Sequence, residues 1–123
     1  MKVLLVNSSS HQNGCTYTAL SEAARALQEC GVQTELIWLG NDALRDCVAC
    51  GHCRKAGRCV FDDLVNSFVD KAREADGFVF GSPVYYAHPT GRLLSFMDRA
   101  FYSGASAFKF KPAAAVLSAR RAG

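Results

Sequence analysis

An uninterrupted apolar run, Lys2–Asn7, opens the chain and drops directly into the polar segment Ser8–Gly14, and few folds accept that combination. A continuous rather than alternating apolar run suits a strand buried on both faces of a parallel sheet. The next segment has helical spacing: Ala19, Leu20, Ala23, Ala24, Leu27 and Cys30, with Gly31 where a left-handed stop belongs. The alternation then repeats. Gln33–Leu39 reads as a strand, Leu64, Val65, Phe68, Val69, Ala72 and Ala75 as a helix face capped by Asp62 or Asp63, and Gly77–Gly81 as a strand. Gly91–Phe101 reads as a helix and Ala113–Leu117 as the last strand. Strand–helix alternation predicts an α/β fold, and right-handed crossovers make a doubly wound parallel sheet the simplest solution. Ligands of such sheets bind beyond the carboxyl ends of the strands, here the loops starting at Asn7, Gly81 and Leu117.

The 123 residues suit one domain, 1–123, interrupted by an irregular, cysteine-rich insertion at about 40–61. A net charge of +3 with no basic stripe argues against nucleic acid as a partner. No apolar run approaches the roughly 18 residues of a membrane span, and the run at the start is shorter than a signal-peptide core. A cytoplasmic location is the expectation, and in that compartment six cysteines need an explanation other than structural disulfides.

Two loops carry binding chemistry. Asn7 to Thr16 joins a buried strand to a helix whose first N–H groups lack internal partners, a setting that favours an anion. Ser9, Thr16 and Thr18 add hydroxyls, Gly14 admits close backbone approach, and His11 adds a cation when protonated. The alternative is an ordinary Ser/Asn-rich turn. The loop lacks the glycine–lysine pattern of a nucleotide P-loop and the dinucleotide fingerprint. Cys15 has no Arg close behind it, as a phosphatase loop would require. The second loop, Gly81 to Gly91, sets Tyr85 and Tyr86 between prolines and glycines, either as a rim for a flat ligand or as packing beneath the loop.

Cys47, Cys50, Cys53 and Cys59 stand within thirteen residues, and the first three have the Cys-x2-Cys-x2-Cys spacing of cluster-binding runs. Four soft sulfurs accept an iron–sulfur cluster or zinc, and free thiols beside a ligand are the plainer alternative. A thioredoxin-type pair at Cys50 and Cys53 is disfavoured, because such a pair opens a long helix after a strand. Cys30 reads as a small buried residue at a helix end.

The segments Gly81-Ser82-Pro83-Val84-Tyr85-Tyr86, Thr90-Gly91 and Phe96-Met97-Asp98-Arg99, together with the first loop, resemble the flavodoxin-like NAD(P)H-dependent FMN reductases. The cysteine segment resembles the iron–sulfur flavoprotein branch of that family. The resemblance spans nearly the whole chain. It implies that Ser9, His11, Gly14, Cys15 and Thr16 surround the FMN phosphate. It implies further that Pro83, Val84, Tyr85 and Tyr86 line the flavin ring, with Ser118, Arg120 and Gly123 in a third loop beside it. Ser10, His11, Cys15 and Leu94 depart from the family's usual residues, which implies a weaker phosphate grip. The expected strand order is 2-1-3-4, without the family's fifth strand and last helix; the expectation is either that the chain is a C-terminally truncated fragment or that its fourth strand, an apolar edge, is covered by pairing in a homodimer.

The implied activity is an FMN-dependent oxidoreductase of the FMN or quinone reductase type. It uses NADH or NADPH as cosubstrate and passes electrons to an acceptor the sequence does not specify. The resemblance also admits an electron carrier with a 4Fe–4S cluster on Cys47, Cys50, Cys53 and Cys59. A third reading is a zinc-stapled interaction module. No catalytic side chain is required, since the flavin carries the chemistry.

Overall fold

In the computed structural model, which describes residues 1–121, the run Lys2–Asn7 is strand β1, and Val3 through Asn7 are buried. It lies inside a parallel sheet of order β2-β1-β3-β4, with β2 at Gln33–Trp38, β3 at Gly77–Pro83 and β4 at Ala113–Ser118. The register sets Leu5 opposite Leu36 on one side and Val79 on the other. The expected order 2-1-3-4 is therefore the observed one. Four helices join the strands among the described residues: α1 at Cys15–Glu29, α2 at His52–Ala56, α3 at Leu64–Glu74 and α4 at Gly91–Phe108.

The helices divide between the two faces of the sheet, which explains why β1 is apolar from Val3 to Val6. Val3 and Leu5 face α1 and pack with Leu20 and Val79, flanked by Ala23, Ala24 and Leu27. Leu4 and Val6 face α3 and α4 and join the larger core of Val65, Phe68, Val69, Phe78, Phe80, Leu93 and Phe96. Each such side chain contributes about 1.5–3 kcal/mol on burial, so a polar residue anywhere from Val3 to Val6 would be costly on one face or the other. Asp63 caps α3 as expected, its side chain accepting a hydrogen bond from the Val65 N–H. At the rim, Glu35 lies between Lys2 and Lys71, and hydrogen bonds from both ammonium groups hold its carboxyl below its ordinary range.

Four local expectations are corrected. Strand β3 runs on to Pro83 because Ser82 and Pro83 find partners in Leu117 and Ser118 of β4. Helix α4 continues past Phe101 to Phe108, with a break in helical geometry at Gly104. A Cβ at Gly104 would stand 2.5 Å from Val69 Cγ1, so the missing side chain lets α4 lie against α3. The cysteine segment is not wholly irregular, since α2 forms between Gly51 and Gly57, both left-handed. Cys30 is exposed rather than buried: it caps α1, and Gly31 at φ +77° turns the chain away toward β2 before anything packs over the thiol.

Strand β4 pairs with β3 along one side, and Ala113, Ala114, Ala115 and Leu117 are exposed, as expected of an apolar edge. No helix among the described residues is long and apolar enough to cross a membrane.

Candidate functional site

The carboxyl ends of β1, β3 and β4 are tied into one structure. The Ser8 N–H and hydroxyl both donate to Gly81 O, at 3.0 and 2.9 Å, joining the first loop to the third strand. The Thr90 N–H donates to Ser82 Oγ at 3.0 Å, and the Thr90 hydroxyl caps α4 by accepting from the Leu93 N–H. The Val84 N–H donates to Ser118 O at 2.8 Å, and the Thr16 and Ser118 hydroxyls meet at 3.0 Å. Ser9, Gly14, Thr16, Pro83, Val84 and Ser118 are thereby gathered at one end of the sheet.

Within the first loop, Asn7 is fully buried and organises the turn. Its Oδ1 accepts from the Ser9 N–H, and its Nδ2 donates to Gln12 O, both at 3.0 Å. Ser9 is buried, its Oγ accepts from the His11 N–H, and Trp38 Nε1–H donates to Ser9 O at 2.8 Å. The loop delivers the chain to Gly14, the N-cap of α1, which offers no side-chain cap, and no acidic residue occupies the first turn. The leading N–H groups and the positive end of the helix dipole are thus available to an anion. The helix packs tightly here. A Cβ on Gly81 would lie 2.5 Å from Leu20 Cδ1 and 2.9 Å from Thr16 Cγ2.

His11, Cys15 and Arg120 are exposed on the rim. Tyr85 and Tyr86 are exposed too, Tyr86 completely, on a tight turn in which the Tyr85 N–H donates to His88 O and the His88 N–H to Tyr85 O. Tyr86 and Ala87 have φ of +49° and +69°, a left-handed pair usually given to Asn or Gly. This turn was invisible in the sequence for that reason. Gly123 lies outside the described residues. Asn7, Ser8, Ser82 and Thr90 lie in the segments that sequence reasoning quoted, but it gave them no role in the site. For Asn7, Ser8 and Ser82 the signal is a polar residue at the end of a buried apolar run, and for Thr90 a capping residue ahead of a helix.

The second region is a cavity of about 180 Å³ lined by Cys47, Cys50, Cys53, Cys59, Phe61 and Arg99, among others. All six cysteines are free thiols. Among the described residues, no three His, Cys, Asp or Glu side chains stand close enough together to hold a metal ion. By its chemistry, four cysteine sulfurs, the donor set suits a cluster or zinc. Asn66, buried on α3, fastens the last cysteine. Its Oδ1 accepts from the Cys59 N–H at 3.0 Å, and its Nδ2 donates to Cys59 O at 3.1 Å and Phe61 O at 3.2 Å.

Arg99, on α4 and 1 % exposed, reaches the same segment from below. It donates to both Asp63 oxygens at 2.7 and 2.8 Å, to Arg45 O, to Phe61 O, and from Nε to Cys59 Sγ at 3.3 Å. Burial opposes its charge, but the hydrogen bonds to Asp63 and Cys59 outweigh that and hold the guanidinium protonated above its ordinary range.

A family model described as NADPH-dependent FMN reductase matches residues 1–123, the whole chain. The chain belongs to this family. Among its relatives, an iron–sulfur flavoprotein of Methanocaldococcus jannaschii is 37% identical over 99 residues, covering 80% of this chain and 51% of that protein. One from Methanosarcina thermophila is 29% identical, covering 80% of this chain and 52% of its own length. The chain thus spans about half the length of the family members it matches. Of solved structures, a flavone reductase superposes with TM-score 0.63 at 27% identity, over 80% of this chain and 29% of its own. An NADH:FMN oxidoreductase superposes with TM-score 0.65 at 23% identity, over 96% of this chain and 58% of its own. The flavodoxin-like fold of the family is therefore the fold of this chain.

Proposed function

We propose that the joined carboxyl ends of β1, β3 and β4 hold FMN and that the protein is an NAD(P)H-dependent flavin oxidoreductase. The observation that carries this reading is the uncapped start of α1 at Gly14, beside buried Thr16 and its partner Ser118, in a chain of this family. The N–H groups of Cys15, Thr16 and Tyr17 and the hydroxyls of Ser9 and Thr16 would hold the phosphate, with His11 on the rim. Pro83, Val84, Tyr85 and Tyr86 would flank the ring, with Ser118 and Arg120 beside it. Bound FMN supplies the redox chemistry, taking a hydride from NADH or NADPH and delivering electrons to an acceptor. The protein's task is positioning. The Val84 and Tyr85 N–H groups are already engaged by Ser118 O and His88 O, so they fix the loop's shape.

Isothermal titration with FMN tests the site. Thr16→Val is expected to weaken FMN binding by about 1–3 kcal/mol through loss of a hydroxyl donor. Gly14→Val should weaken it further, since its Cβ would already press on His11 Cβ at 3.2 Å. Equal affinity in wild type and both variants would remove the phosphate site from this loop.

The four thiols lining one cavity favour a second reading, in which a 4Fe–4S cluster on Cys47, Cys50, Cys53 and Cys59 exchanges electrons with the flavin. The name iron–sulfur flavoprotein borne by the relatives supports it. Cys50→Ser and Cys59→Ser are each expected to lose most of the iron of protein purified without oxygen, because both supply one site. Zinc in place of iron would make the segment a zinc staple, and neither metal would leave the thiols free.

A further inference from the structure

Arg99 is the largest fully buried side chain in the protein, and burying an arginine is costly. Its placement has a particular logic. A guanidinium has five N–H donors, and each has an acceptor here: two are Asp63 oxygens, two are the carbonyls of Arg45 and Phe61, and the fifth is a sulfur. The carbonyl and carboxylate bonds staple the two arms of the cysteine loop, at Arg45 and at Phe61–Asp63, onto α4. The Phe61 ring lies against the same group, 5.2 Å from the Arg99 Cζ. The bond from Nε to Cys59 Sγ goes beyond stapling, because it aims a charged donor at one of the four sulfurs that line the cavity.

We propose that Arg99 is a positioning residue for the cysteine site: it fixes the Cys59 sulfur toward the cavity and, by donating to it, favours negative charge on that sulfur, with Asp63 moderating the effect as counter-ion. This rests on the reading of the four cysteines as one metal or cluster site. Hydrogen bonds to cluster sulfurs stabilise the more electron-rich state and raise the reduction potential. Partners that orient a ligand also tighten metal binding, and their loss typically costs 10–100-fold in affinity. Lysine keeps the charge but has three donors on a point-like head, so it cannot serve Asp63, two carbonyls and a sulfur together.

The test compares wild type, Arg99→Lys, Asp63→Asn and Cys59→Ser, each checked for folding by circular dichroism. Cobalt(II) is titrated into the reduced proteins and followed by thiolate-to-metal charge-transfer absorption. The midpoint potential is measured after reconstitution with iron and sulfide. Arg99→Lys is expected to bind cobalt about 10–100-fold more weakly and to shift the potential downward. Asp63→Asn retains a cap for α3 and a carbonyl for Arg99 but removes the counter-charge, so its potential should move upward. A purely structural staple would lower the melting temperature of both variants without opposite shifts in potential.

Wild-type cobalt affinity and potential in folded Arg99→Lys would overturn the proposal while leaving the cysteine site standing, with Cys59→Ser showing the loss expected of a true ligand. Should Arg99→Lys not fold, the potential of Asp63→Asn decides: a rise supports the role and no change overturns it. A wild-type protein that takes up neither cobalt nor a cluster would instead refute the cysteine site, and the role of Arg99 with it.

Discussion

Phe68→Ala is expected to destabilise the protein by about 3–5 kcal/mol, a large part of the roughly 5–15 kcal/mol that holds a domain together. Phe68 is 2 % exposed and sits at the centre of an aromatic group. Its ring meets Phe96 edge-on at 4.8 Å, and Phe108 and Phe78 lie at 6.2 and 6.3 Å. These rings come from α3, α4 and β3, so no single neighbour can shift to fill the space, and the cavity term adds to the lost burial. Phe110→Ala, at a side chain 93 % exposed, serves as the control and should stay within about 0.5 kcal/mol. Urea unfolding of the three proteins measures both values. A loss below about 1 kcal/mol in Phe68→Ala would mean that α3 and α4 do not meet over the sheet.

Asn66→Leu is expected to cost about 3 kcal/mol and to release the cysteine segment locally. The substitution keeps the branched shape, at somewhat larger volume, but removes the partners of the Cys59 N–H and C=O, each of which then carries an uncompensated desolvation penalty of about 1–3 kcal/mol. Phe61 O keeps its bond from Arg99, so the damage should centre on Cys59 rather than spread to α4. Amide hydrogen exchange resolves this: protection at Cys59 should fall much more than at the buried amides of β1. Undiminished protection of the Cys59 amide would show that Asn66 does not fasten the segment.

The order of elements was legible in the residues themselves, because its causes are local. A run apolar at every position, as in Val3–Val6, satisfies a strand with helices on both faces and little else, and the spacing of Ala19, Leu20, Ala23, Ala24 and Leu27 fits one helix face. Turn chemistry placed the start of α3 at Asp62 or Asp63 and the stop of α1 near Gly31. The grouping of Ser9, Gly14 and Thr16 was legible too, since they lie on one strand-to-helix loop.

The contacts that complete the site depended on segments far apart in the chain. Strand β3 reaches Pro83 because β4, some thirty residues later, offers Ser118 as a partner. Helix α4 passes Gly104 because the close approach of Val69 favours a residue without a Cβ. Thr16 meets Ser118 across the whole length of the chain, and no local pattern predicts that contact. The role of Arg99 was hidden most completely. In sequence it is one charged residue on an amphipathic helix, within a motif that points to the flavin. In space it is buried, because folding brings Arg45, Cys59, Phe61 and Asp63 around it and supplies an acceptor for every donor. Local preference writes short-range geometry into the sequence, whereas the environment that makes a buried charge tolerable exists only once distant segments have met.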